Sequence, residues 1–519
     1  MVGICLTGVL IATQSLPLHA ALRSGVVGTG TPASCTESAL DSALAGGGNV
    51  TFNCGAAPTT ITLTATKNLI SNTSLDGAGL ITLRGSGSTR LLYVNGGVTL
   101  TLRGIVLDNG RPNNGDSDGG AIYNIGGSVV LNNSTIRNSH AGSGRFGGAV
   151  ALFGNNPNLT VINSTIISNS ASAGGAIYNG TGLVFISNSV VANNILTGSA
   201  ASSGGAIYSA GTLHIASSTL SNNHGVDGGA IYVAAESSAV LSSTLIFSNS
   251  ASNGAGIETL GALTITDSLI DQNSATDDGG GLWLFTGSSL NMHRSTLSGN
   301  RARVGGAINN NSALSNTLRE TTISNNTSTG DGGGIYSSGA LSLTNVTLSG
   351  NVAGAGAGGG GGAVFVNGGV VTLTFVTVAE NKASFGAGIY NKGGGGAGGQ
   401  LFVRSSLLAK NTGGDCDGVI ESLGYNIAGD NNCGAFTKTG DAKNANVALG
   451  PLTNNSGNTQ THVPLSGNVA INRVPTNECN LAIDQRGAAR PNPANGACDS
   501  GAVEAGGAPA LVYLPLARK

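Results

Sequence analysis

Four aspartates stand directly before a pair of glycines, at Asp118, Asp227, Asp278 and Asp331. Carboxylates in fixed positions suit three kinds of chemistry. Glycoside hydrolysis uses them in pairs across one bond. Lyases use them to hold Ca²⁺ near a basic residue that removes a proton. Turns use them to accept backbone N–H groups. The four belong to different repeats, and at a strand spacing of ~4.8 Å two of them lie about 10 Å apart wherever a repeat intervenes. Turn chemistry is therefore the expected role, with Asp277 and Asp278 together the candidates for a weak Ca²⁺ site. The histidines outside the N-terminus, His140, His214, His224, His293 and His462, share no motif. No acid–base pair and no catalytic residue is expected among them.

A second set of residues has the chemistry of a binding surface. Tyr123, Tyr178, Tyr208, Tyr232, Trp283, Tyr336 and Tyr390 each follow an aliphatic residue at the same point of a recurring motif, and Phe365 makes eight aromatics in eleven copies. Rings stacked at strand spacing offer apolar surface to a sugar or another partner. They can equally stack on one another and shield the sheet beneath. These seven Tyr and Trp residues are the candidate ligand-binding positions, for a polysaccharide or surface glycan.

The elements that place these residues are repeats. Gly-Gly-Ala-Ile-Tyr begins at Gly119, and variants begin at Gly147, Gly174, Gly204, Gly228, Gly254, Gly279, Gly305, Gly332, Gly361 and Gly386. The first and last copies are 267 residues apart, so ten intervals average near 27 residues. Each unit also holds a short apolar stretch such as Leu213-His214-Ile215 and a Ser/Thr-rich segment closing on asparagine, as in Ser164-Thr165-Ile166-Ile167-Ser168-Asn169. Three short strands per unit, repeated this often, suit a solenoid, whereas paired glycines in every unit would damage helical repeats. The expected fold is all-β: a right-handed parallel β-helix solenoid with three strands per coil, an N-terminal cap and an irregular C-terminal region. Ile122, Ile177, Ile207, Ile231 and Ile335 should form an interior ladder, with the rings facing outward by strand alternation. The closing asparagines should form a turn ladder in left-handed conformation.

The remaining chain fits export. Residues 1–21 read as a signal peptide, with an apolar run too short to span a bilayer. Residues 30–118 read as a cap and first coils, with a short helix over Ser38–Leu44. Residues 119–411 hold the eleven repeats, 412–505 a disulfide-containing C-terminal region, and 506–519 a short tail. Cys35, Cys54, Cys416, Cys433, Cys479 and Cys498 are an even set once Cys5 is lost with the signal; short spacing favours pairing them consecutively, among 15 arrangements. Net charge is −2 with only 9% charged residues and no basic run. That argues against nucleic acid as a partner, and no transmembrane span is expected.

These motifs carry three resemblances. Gly174-Gly175-Ala176-Ile177 with Ile166-Ile167-Ser168-Asn169 resembles the paired GGAI and FxxN repeats of polymorphic outer membrane proteins, with an aliphatic residue in place of the phenylalanine. The pattern is also similar to the pectin-lyase-like β-helix superfamily. Ser422-Leu423-Gly424-Tyr425-Asn426, Asp484-Gln485-Arg486-Gly487, Arg490-Pro491 and Cys498-Asp499-Ser500-Gly501-Ala502-Val503-Glu504 resemble the choice-of-anchor region that ends many bacterial surface β-helix proteins. The resemblances imply a secreted or cell-surface protein of bacterial-type export, engaged in adhesion or in glycan or matrix binding. A polysaccharide lyase or glycoside hydrolase is the alternative, and a structural spacer the second. The NTD, GHG and RIK signatures of polygalacturonases, the RxPxxR of pectate lyases and the GGxGxD of calcium-binding repeats are absent.

Overall fold

The computed structural model describes residues 24–112, 117–197, 203–355, 358–393 and 398–507. The expected signal, 1–21, and most of the tail lie outside these. The chain winds as a parallel β-helix. Strands such as Ile177–Asn179 pair in register with the same strand one coil on, Ile177 opposite Ile207 and Ile207 opposite Ile231, in a 14-stranded sheet. The other two strands of a coil, for example Leu183–Ser187 and Val190–Ala192, belong to a 29-stranded sheet. That sheet bends between them at a left-handed residue, here Asn188 at φ 49°. Some coils add a fourth, two-residue segment after the asparagine, such as Ser250–Ala251.

Stacking puts like residues in columns. Ile122, Ile177, Ile207, Ile231 and Ile335 are all fully buried in one ladder inside the tube. The paired glycines are required by two separate constraints. Gly174 has φ 57°, and a Cβ there would stand 2.2 Å from the carbonyl oxygen of Ile177. A Cβ on Gly175 would stand 2.2 Å from the carbonyl oxygen of Gly205 in the next coil, so side chains are excluded by the coil-to-coil approach.

The asparagine ladder runs inside the tube from Asn169 to Asn411. Both the backbone N–H and the side-chain amide of Asn273 donate to Asn300 Oδ1 at 3.0 Å. The Asn300 amide in turn donates to the Ile270 carbonyl at 2.9 Å and to Asn326 Oδ1 at 3.0 Å. The left-handed residue is not the ladder asparagine but the one before it: Ser168 at φ 57°, Asn222 at φ 53° and Gly299 at φ 61°. The bend is taken one residue early, which turns the following side chain inward.

Both ends are closed. At the N-terminal end, helix α1 (Glu37–Leu44) buries Leu40 over the first coils, its Thr36 cap accepting from the Ala39 N–H at 3.1 Å, next to the Cys35–Cys54 disulfide. Lys67 joins it to the sheet, 2.6 Å from Glu37 and 2.7 Å from Asp41. At the other end Asn411 donates to Asp415 at 2.8 Å, beside the Cys416–Cys433 disulfide and buried Phe436.

The C-terminal region folds back along the flank of the 29-stranded sheet. Gln485 donates to Thr322 at 3.0 Å and accepts from Thr347 at 2.6 Å, while the Ala502 N–H donates to Thr377 at 2.9 Å. His462 is held between Ser349 Oγ at 2.8 Å and the Gly450 carbonyl at 2.7 Å. The motif residues of this region converge on a buried ion cluster. Arg490 lies 3.4 Å from Glu504, both side chains fully buried, and donates to the carbonyls of Asp499 at 2.8 Å and Gly501 at 3.0 Å. Its guanidinium lies 4.2 Å from the centre of the Phe375 ring. Phe375 occupies a left-handed bend position, φ 52°, where a bulky residue is unusual. Its ring is fully buried against Val474 and Cys498, the latter paired with Cys479.

Candidate functional site: the outward ring column

The residue after each ladder aliphatic turns outward and stands half-exposed at Tyr123, Tyr178, Tyr208, Tyr232, Trp283, Tyr336 and Tyr390. Strand register joins these into one column, through Tyr178–Tyr208, Tyr208–Tyr232, Tyr232–Glu258, Glu258–Trp283, Trp283–Asn309, Asn309–Tyr336, Tyr336–Phe365 and Phe365–Tyr390. The sequence candidates separate into two stacks and one lone ring.

In the upper stack, Tyr178 and Tyr208 lie 4.9 Å apart at 9°, and Tyr208 and Tyr232 5.2 Å apart at 11°. Where Ala151 interrupts the column, Phe153 bridges the gap, 5.6 Å from Tyr123 and 5.2 Å from Tyr178, and Phe146 adds a further contact to Tyr178 at 4.6 Å. Tyr93 extends the stack beyond Tyr123 at 5.4 Å. In the lower stack, Tyr336 and Phe365 lie 5.3 Å apart at 12°, with Tyr390 4.9 Å beyond. Rings stacked this way occupy each other's faces. Burial raises the hydroxyl pKa of Tyr178 and of Tyr232 to about 12, so both remain neutral.

Among the described residues no ring pair links Tyr232 to Tyr336. Between them come Glu258, Trp283 and Asn309 on three successive coils, with Trp283 edge-on to Phe285 at 5.1 Å and 88°. Each of the three carries a buried polar atom without a hydrogen-bond partner: Glu258 Oε2, Trp283 Nε1 and Asn309 Oδ1. Glu258 is 4% exposed and Asn309 2%. Buried polar atoms are normally paired, so three in consecutive coils mark this break as unlike the rest of the column. Burial first, and then the charge of Asp227, push the Glu258 carboxyl up to about 9.

The pre-glycine residues form a neighbouring column. Asp227, Asn253 and Asp278 come from three successive coils, Asn253 donating to Asp227 at 3.0 Å. Asp118 accepts the Phe146 N–H at 2.7 Å and Asp331 the Gly360 N–H at 2.9 Å, each from the following coil. The candidate cation ligands Asp277 and Asp278 are both 3.2 Å from Arg303, whose guanidinium supplies the positive charge between them. Among the described residues no group of three or more His, Cys, Asp or Glu side chains is placed to hold a metal ion.

Sequence reasoning missed Glu258 and Asn309. Their only signal was that they depart from an aromatic register, which reads as loss of function until the unpartnered atoms are seen. Among the described residues no helix is long and apolar enough to cross a membrane. No curated protein matches the chain. The family model for a right handed beta helix region matches residues 206–404, a stretch that contains the whole break. The scaffold under the ring column is a right-handed parallel β-helix.

Proposed function

We propose that this protein is a secreted or cell-surface β-helix that binds a polysaccharide or surface glycan on the outward ring column, without catalysis. The observation that supports the reading is the break between two ring stacks. Sugar rings bind aromatic faces, and faces in the middle of a stack are already taken. Among the described residues the faces of Tyr232 and Tyr336 that border the break meet no other ring, and the buried, unpartnered polar atoms of Glu258, Trp283 and Asn309 lie between them. The resemblance of the repeats to polymorphic outer membrane proteins, and of the C-terminal region to the choice-of-anchor class, supports placement at a cell surface. The disulfides suit an oxidising compartment.

The test is a glycan array combined with a polysaccharide degradation assay on the purified chain. Binding without product release is expected, weakened about tenfold or more in Tyr232→Ala plus Tyr336→Ala, a loss of about 1.4 kcal/mol or more. Unchanged binding in that double variant would remove the ring column from the account. A second reading, a lyase or hydrolase of the pectin-lyase-like class, is favoured by one observation: a carboxyl held protonated at Glu258 beside Asp227 has the protonation of a general acid. Release of products from any polysaccharide would establish it over binding alone.

A further inference from the structure

We propose that the break in the ring column selects glycans bearing a free amino group, the ammonium sitting between the ring face of Tyr232 and the carboxyl of Glu258. The inference rests on the glycan-binding reading and adds the ligand's chemical class.

Charge around the break carries the argument. Asp227, Glu258, Asp277, Asp278 and Asp331 lie on the coils that form it, and Arg303 is shared by Asp277 and Asp278. Among the described residues no cation pairs with Asp227, Glu258 or Asp331. A uronate or sulfated sugar would meet repulsion from Asp227 and Asp331 here, and a neutral sugar would leave those two acidic side chains without a counter-charge. An ammonium group meets both attractions available to a cation: the face of an aromatic ring and a charge-assisted hydrogen bond to Glu258 Oε2, which has no other hydrogen-bond partner. The rings beside Glu258 in the column, Tyr232 and Trp283, are half-exposed and project from the sheet. Admitting the ammonium to the buried Glu258 carboxyl requires one of these rings to turn, Tyr232 out of its stack on Tyr208 or Trp283 away from its edge contact with Phe285.

Glu258 pairs in register with Tyr232 and Trp283 in its own column, and Asp227 in the neighbouring column acts on it, with Asn253 and then Asp278, which holds Arg303, following Asp227 along that column. Before binding, its proton is retained at neutral pH, because burial and Asp227 oppose ionisation. An ammonium placed against it favours the carboxylate, so the Glu258 Oε–H bond breaks and the proton leaves to solvent.

Titration calorimetry of the full chain against four probes tests this at mildly acidic pH, where the sugar amine is protonated: a β-1,4-linked glucosamine oligomer, its N-acetylated counterpart, an oligogalacturonate and oligolysine. The glucosamine oligomer is expected to bind at least about tenfold more tightly than the N-acetylated one. Binding heats in buffers of different ionisation enthalpy should show net proton release in the wild type and none in Glu258→Gln, which should keep the wild-type circular dichroism and lose the tenfold preference. Equal binding of the N-acetylated oligomer would overturn amine selection and leave glycan binding standing. Preference for oligogalacturonate would overturn it likewise. Binding of oligolysine without either glucosamine oligomer would overturn the sugar assignment. Failure of all four probes would overturn this inference, while the glycan array would still decide the broader reading.

Discussion

Replacing Asn300 by alanine is expected to destabilise the solenoid by about 4 kcal/mol, the sum of several unmet buried hydrogen bonds at ~1–3 kcal/mol each. The variant strands the backbone N–H and the amide of Asn273, both of which donate to Asn300 Oδ1, together with the Ile270 carbonyl that the Asn300 amide reaches. It also removes the donor to Asn326 Oδ1. Asn300 is fully buried, so water cannot replace these partners without entering the tube. The outward Asn291, exposed on the sheet, should tolerate alanine within about 0.5 kcal/mol. Because each coil contacts only its neighbours, the damage should be local first. Hydrogen exchange at residues 270–300 should accelerate more than exchange at residues 92–131. A uniform change along the chain, or equal tolerance at both positions, would contradict the ladder's role.

The second large effect is expected at Arg490. Substitution by methionine removes the cation between Glu504 and the carbonyls of Asp499 and Gly501, and leaves Glu504 buried without a counter-charge. Breaking one partner of such a pair costs ~3–5 kcal/mol. Burial already lifts Glu504 to about 7 against the pull of Arg490, so without the guanidinium it should remain protonated at higher pH still. The loss should fall on the docked C-terminal region, whose contacts with Thr322, Thr347 and Thr377 depend on the segments the cluster ties together. Limited proteolysis should cut within residues 449–505 while residues 119–411 stay resistant. Arg490→Lys should not rescue, since an ammonium cannot span both carbonyls and Glu504 while stacking on Phe375. Wild-type resistance in Arg490→Met would show that the cluster does not hold the region to the flank.

How far these features were legible in the sequence depends on whether they repeat. The interior isoleucines and the glycine pairs recur every coil, because the same backbone approach recurs, and a periodic constraint leaves a periodic trace. The asparagine ladder is legible as a column, but the bend falls one residue before the asparagine that the motif points to. Ser168, Asn222 and Gly299 share little beyond tolerance of a left-handed backbone, so the position that bends shows no single residue type. Phe375 gave no warning: a phenylalanine among valines and threonines reads as strand, and its left-handed backbone is supported by Arg490, Val474 and Cys498, which lie far along the chain. The C-terminal motifs were visible as motifs, but their function as a flank-docking cluster requires contacts across more than a hundred residues, such as Ala502 to Thr377. The ring column is legible in the sequence as a register of residue types. What register cannot convey is the direction in which ring faces point, and that direction moves attention from the tyrosines in mid-stack to the break at Glu258, Trp283 and Asn309.

The chain contains a single tryptophan, and it stands in the break. Its emission therefore reports on the proposed site without labelling. Titration of the purified protein with the glucosamine oligomer should give a saturable change in Trp283 fluorescence that disappears in Tyr232→Ala plus Tyr336→Ala. A glycan that binds by calorimetry while leaving the Trp283 emission unchanged would place the binding surface elsewhere on the solenoid and contradict the account.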